Sequence, residues 1–192
     1  MTTICNCVRR PIKDLASITK LAEGCFNRVL QATFVDGQAV LARLPFRSTA
    51  PAHYAVASEA ATLDFLHHHG VPVPKVLGYS SVKTNPVGAE YLLLEKIEGI
   101  PLSDRWFTMD TKARVQVMRQ IVDVEKRFFD IRLPASGSLY YRKDLTPSEY
   151  TIPVPGVSQA ADGFVIGPTA QYEWWYRERA ALATDRGPCK PC

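Results

Sequence analysis

Apolar and polar residues alternate through roughly the first half of this chain, and the spacing then changes. Residues 18–21 predict a short strand, and Glu23-Gly24-Cys25-Phe26-Asn27 follows as a polar turn of mostly small residues. Residues 28–35 and 38–44 read as two further strands, rich in β-branched and apolar side chains. Between them stands Asp36-Gly37, a strong short hairpin signal, because glycine accepts a positive φ without a Cβ clash. Pro45 closes the third strand. Residues 54–69 take a helical pattern, with Ala57, Ala60, Ala61, Leu63 and Leu66 available to one broad face and Gly70 as the stop. Val71-Pro72-Val73-Pro74 must be extended. Residues 76–79 and 90–97 complete five predicted strands, joined by a loop with Asn85-Pro86 and Gly88.

The second half has another character. Val115, Met118, Ile121, Val122, Val124, Phe128 and Phe129 recur mostly at three- and four-residue steps, which predicts an amphipathic helix over 111–130. Asp110 or Thr111 caps its start. Residues 133–167 are punctuated by proline and glycine, with 137–142 and 163–166 as a candidate strand pair. Residues 169–184 predict a last helix, with Tyr172, Trp175, Tyr176, Arg179 and Leu182 on one side.

Length sets the scale: 192 residues make one domain or two small ones. A 46% hydrophobic and 22% charged composition is that of a globular chain with a buried core. The net charge of +4 is mild and its basic residues are dispersed, which argues against a nucleic-acid partner. No apolar run reaches membrane-spanning length. Residues 1–14 carry Arg9, Arg10 and Lys13 but no signal-peptide core, and read as an exposed terminal extension. Five cysteines without a secretory signal read as free thiols. A four-thiolate zinc site from Cys5, Cys7, Cys189 and Cys192 would need the termini to meet. His67-His68-His69 reads as a solvated helix end, since consecutive helical residues diverge.

Several stretches, in order, carry a resemblance. They are K-L-A-E-G-C-F-N-R-V-L at 20–30, V-L-A-R-L-P at 40–45, A-S-E-A-A-T-L-D-F-L at 57–66, G-V-P-V-P-K-V at 70–76, N-P-V-G-A-E-Y-L-L-L-E-K-I-E-G at 85–99 and G-S-L-Y-Y at 137–141. The chain resembles the aminoglycoside phosphotransferase and choline kinase superfamily, and within it the fungal branch of altered-inheritance-of-mitochondria proteins. The resemblance implies an α+β fold. A kinase-like N-terminal lobe, a five-stranded antiparallel sheet plus one helix, would occupy 15–100. An incomplete helical C-terminal lobe with a loop-rich insertion would occupy 101–192.

It also implies ATP as ligand, with magnesium entering only as the nucleotide complex. Gly24 and Asn27 belong to the loop that would lie over the phosphates. Arg43 would bind the phosphates, oriented by Glu59. The Glu95 carbonyl and the Ile97 amide would meet the adenine edge, with Leu21, Val29 and Val40 sandwiching the ring. Taken alone, the loop reads equally as a plain hairpin turn, and Arg43 and Glu59 as a surface pair.

No catalytic residue is assigned. None of His53, His67, His68 and His69 has an Asp two positions later, and Asp162-Gly163-Phe164 reverses a D-F-G and reads as a turn. In relatives the catalytic loop follows Arg186-Gly187-Pro188, so the chain is expected to be truncated before it and to be inactive as written. Apolar residues among Phe128, Phe129, Trp174 and Trp175 are then expected at the surface, open to self-association or a docking partner. Three functional readings result: part of a small-molecule kinase, a nucleotide-binding pseudokinase, or an interaction module. The compartment is intracellular, mitochondrial by resemblance or cytoplasmic for want of a targeting segment.

Overall fold

A computed structural model describes residues 1–156 and 163–190. Five strands form the main sheet: β1 (Leu15–Glu23), β2 (Asn27–Phe34), β3 (Ala39–Pro45), β4 (Val76–Ser80) and β5 (Tyr91–Glu95). Their order is β1-β2-β3-β5-β4, with every neighbouring pair antiparallel. The fold is α+β, and its sheet with one long packed helix is that of a kinase-like N-terminal lobe. The Asp36-Gly37 turn forms as expected: Gly37 has φ +83°, and its amide donates to the Phe34 carbonyl at 2.9 Å. β1 is longer than the four residues expected, because polar side chains at Ser17, Thr19 and Lys20 pair as well as apolar ones where the sheet faces water.

Register sorts the side chains onto two faces. Arg43 stands opposite Val29 and Leu92, and Leu41 opposite Gln31 and Leu94, so these six share a face. Val40 and Ala42 point the other way with Ala32 and Leu93. That second face is covered by α1 (Thr2–Cys7), whose Ile4 and Cys5 are buried against Phe34, Val40, Ala42, Tyr91 and Leu93. The terminus expected to be exposed is therefore part of the core at Ile4 and Cys5. Their aliphatic and thiol side chains complete an apolar face that would otherwise meet water.

The helix α2 (Tyr54–His68) crosses the Arg43 face. Ala57, Ala60 and Ala61 are fully buried, and such small side chains let the helix lie close to its neighbours on both sides. Its far side meets a second, three-stranded antiparallel sheet of β6 (Ser138–Tyr141), β7 (Ile152–Pro153) and β8 (Phe164–Gly167), in the order β6-β8-β7. The expected pairing of the segments around 139 and 165 is present. Ala61 and Phe65 of α2 pack with Leu139, Tyr141, Phe164 and Ile166 in one buried cluster.

Two helices follow β5 in the chain. α3 (Leu102–Trp106) was not foreseen, and α4 (Thr111–Asp130) matches its expected bounds. The Asp110 carboxylate caps α4 by accepting from the Ala113 amide at 2.7 Å. The helix expected over 169–184 does not form. Two short 3₁₀ turns, Tyr172–Trp174 and Arg177–Ala181, stand there instead. The Arg186 guanidinium braces these turns, donating to the carbonyls of Arg179 and Leu182 at 2.5 and 3.2 Å. Arg177, the first residue of the second turn, has φ +53°, outside the right-handed helical region, so a continuous helix is broken there.

Candidate functional site

β3 and α2 bring Arg43 and Glu59 together. The Arg43 guanidinium forms a direct ion pair with the Glu59 carboxylate, at 34% and 28% side-chain exposure. Burial pushes the Glu59 carboxyl above its ordinary range, and the Arg43 charge and hydrogen bond pull against that shift. A half-buried guanidinium held by one carboxylate oxygen keeps further N–H donors for an anion.

Gly24 lies at the turn between β1 and β2. Its amide donates to the Asn27 carbonyl at 3.0 Å, and a Cβ built there would meet nothing within 4 Å. The loop therefore leaves open space above Gly24, while the Gly24 N–H itself closes the turn. The same loop is braced from below. The Phe26 carbonyl accepts from the Phe46 amide at 2.9 Å and from the Thr49 hydroxyl at 2.6 Å. Glu23 at the strand end pairs with Lys20 at 2.8 Å and Arg28 at 2.9 Å. Those two partners hold its carboxyl below the usual range. Asn27 opens β2 opposite Pro45 and is partly buried.

At the other side of the same face, β5 ends at Glu95. The Glu95 amide donates to the Lys75 carbonyl at 3.0 Å, and its side chain accepts from the Lys75 amide at 2.9 Å. Beyond it the chain leaves the ladder. Ile97 is 59% exposed, and among the described residues its amide has no hydrogen-bond partner.

One expected residue falls elsewhere. Val40 is buried against α1, on the face opposite Arg43. It stands an odd number of residues from Arg43, so strand alternation places the two on opposite faces, a signal the sequence already contained. Leu41 and Leu94 occupy the Arg43 face in its stead, with Val29, while Leu21 sits at a register shift of β1 and is 53% exposed.

The start of α2 involves groups the sequence reading passed over. His53 precedes it with φ +67°, its amide donating to the buried Glu90 carboxylate at 3.0 Å. The His53 Nε2 lies 2.6 Å from the Asp144 carbonyl, so that nitrogen carries the proton. Tyr54 donates to Glu149 at 2.7 Å. Desolvation and this bond push the phenol up to about 12. For Glu149, desolvation acts upward, but the bonds from Tyr54 and Thr146 together outweigh it and hold the carboxyl low.

Among the described residues no group of three or more His, Cys, Asp or Glu side chains is placed to hold a metal ion. His68 and His69 each turn back to a helix carbonyl, of Asp64 and Phe65 respectively. Asp162 and Cys192 lie outside the described residues. Cys5, Cys7, Cys25 and Cys189 are free thiols.

One face of the main sheet thus carries a cation–carboxylate pair, with a short open hairpin loop at one end and the exposed Ile97 past the strand end at the other. The chain belongs to the phosphotransferase enzyme family, which matches residues 17–185. It is 46% identical over 174 residues to a subtelomeric hrmA-associated cluster protein of Aspergillus fumigatus, covering 90% of this chain and 33% of that one. It is 30% identical to altered inheritance of mitochondria protein 9, mitochondrial, of Candida tropicalis, covering 83% of this chain and 28% of that one. The protein of the same name from Candida glabrata is 27% identical, over 93% of this chain and 32% of its own length. The chain thus spans about a third of the length of these curated relatives.

Proposed function

We propose that this chain forms the nucleotide-holding part of an ATP-dependent small-molecule phosphotransferase. The observation that carries the reading is the Arg43–Glu59 pair on the open face of the sheet. Arg43 would hold the phosphates of magnesium-bound ATP. Gly24 and Asn27 would frame the loop above them, and Glu95 and Ile97 would meet the base. Residues 15–100 would form the nucleotide lobe, 101–192 the first part of a second lobe, and 1–14 an extension seated on the sheet. No step of phosphoryl transfer is assigned to this chain, because no histidine in it is followed two positions later by an aspartate. It is proposed to bind the nucleotide without turning it over. Two relatives bear the word mitochondrial in their names, and on that ground a mitochondrial location, rather than a cytoplasmic one, is proposed.

A second reading, a non-catalytic interaction module, draws on α4. It has no buried residue, and Val115, Met118, Val122 and Phe129 are 44%, 47%, 43% and 78% exposed. Calorimetric titration with magnesium-ATP separates the two. The nucleotide reading expects binding that Arg43→Ala weakens roughly 10- to 100-fold, the range of a charge-assisted hydrogen bond. Equal affinity in the wild-type and Arg43→Ala chains would favour the interaction module.

A further inference from the structure

The hairpin loop between β1 and β2 carries, besides its hydrogen bonds from Phe46 and Thr49, an aromatic contact from far along the chain. The ring of Phe26, at the loop tip, meets the ring of Tyr172 edge to face, with centroids 5.3 Å apart. Tyr172 is distant in sequence and belongs to the segment leaving β8. That segment is fastened along its length. The Tyr140 hydroxyl donates to the Pro168 carbonyl at 2.7 Å, and the Ala170 amide donates to the Ser138 hydroxyl at 2.8 Å. The Trp175 indole donates to the Thr169 carbonyl at 2.6 Å, and its ring packs on Tyr54, the first residue of α2, with centroids 4.9 Å apart. The Arg186 guanidinium lies 4.2 Å from the Trp175 ring centroid. Tyr176 packs beside Tyr172 with centroids 4.9 Å apart.

The segment therefore joins the second sheet, the start of the helix that bears Glu59, and the tip of the loop beside Gly24. We infer that Tyr172, acting through Phe26, is a positioning residue that sets the height of this loop above the phosphates of a bound nucleotide. The inference rests on the nucleotide reading above. An aromatic edge contact to a half-exposed ring fixes a loop tip without using the backbone amides that an anion needs. The Phe26 backbone is held by Phe46 and Thr49, but its side chain, at 48% exposure, has Tyr172 as its aromatic partner. The aromatic segment is thus a brace for the phosphate end of the site, and leaves the base end at Glu95 and Ile97 untouched.

The test compares magnesium-ATP with adenosine, which lacks phosphates, on the same purified chain by calorimetry. Tyr172→Ala is expected to weaken magnesium-ATP binding by roughly 2- to 10-fold, the range of one aromatic pair, and to leave adenosine binding unaltered. Tyr172→Phe keeps the ring and is expected to bind both as wild type does. Phe26→Ala combined with Tyr172→Ala should lose no more than the larger single loss, because both remove one contact. Equal magnesium-ATP affinity in Tyr172→Ala overturns the inference, as does a parallel fall for both ligands or a loss in the double variant that sums the singles. Wild-type chain that binds adenosine and ATP alike, or neither, overturns the nucleotide reading itself, a result distinct from any behaviour of the variants.

Discussion

Glu59 concentrates the electrostatics of the molecule. Its folded-state carboxyl titrates above the unfolded value near 4.5, with desolvation as the larger influence and Arg43 opposing it. A group raised in this way holds its proton more tightly folded than unfolded. Its contribution to stability is then complete below pH 4.5 and is lost as pH rises through the raised value. Glu59→Gln is uncharged throughout, so it should lack that part of the slope. Urea unfolding of both chains between pH 4 and 7 checks this: wild type should lose stability relative to Glu59→Gln as pH increases. A gain relative to Glu59→Gln would mean that Arg43 outweighs desolvation. The pairing of Arg43 with Glu59 was anticipated through the family resemblance, since the two residues taken alone read as a surface pair. Val40 was misplaced because its neighbours in sequence were weighed without the strand's alternation.

At the scale of elements, most of the sheet was readable from turn chemistry and alternation. Asp36-Gly37 fixed the central hairpin, and the period of Val115 to Phe129 fixed α4 with its Asp110 cap. The elements that escaped are those held by single long-range contacts. Six residues are too few for α1 to persist on propensity alone, and it stands because Ile4 and Cys5 fill the sheet's outer face. Residues 169–184 had a helical period, but Arg177 takes a positive φ, and side chains of Trp175 and Arg186 bond carbonyls within the segment. The seat of α1 is tight at one point: a Cβ at Gly78 would come within 2.7 Å of the Cys7 sulfur. Gly78→Val should therefore lift α1 from the sheet. Its readout is thiol labelling resolved by peptide mass. Cys5, 1% exposed, should react slowly in wild type and rapidly in Gly78→Val, with Cys25 and Cys189 fast in both. Slow labelling of Cys5 in the variant would show that Cys7 turns aside without moving the helix.

For the molecule as a whole, the two sheets are joined through α2, whose Phe65 is 3% exposed and meets Phe164 edge to face at 5.3 Å. Glu59, the partner of Arg43, thus stands on an element gripped from both sides. Apolar side chains remain in the open on α4 and on the Tyr172–Trp174 turn, with Phe128 at 44% and Trp174 at 46% exposure. Trp175 is the exception, since Tyr54 and Arg186 enclose it. No helix among the described residues is long and apolar enough to cross a membrane. The central claim is that one face of the main sheet holds ATP between the Gly24 loop and the Ile97 amide. Hydrogen exchange of the backbone with and without magnesium-ATP tests it most directly. The account predicts new protection at 24–27, around Arg43 and at 95–97, with α4 unchanged. Protection confined to α4, or none at saturating nucleotide, would contradict it.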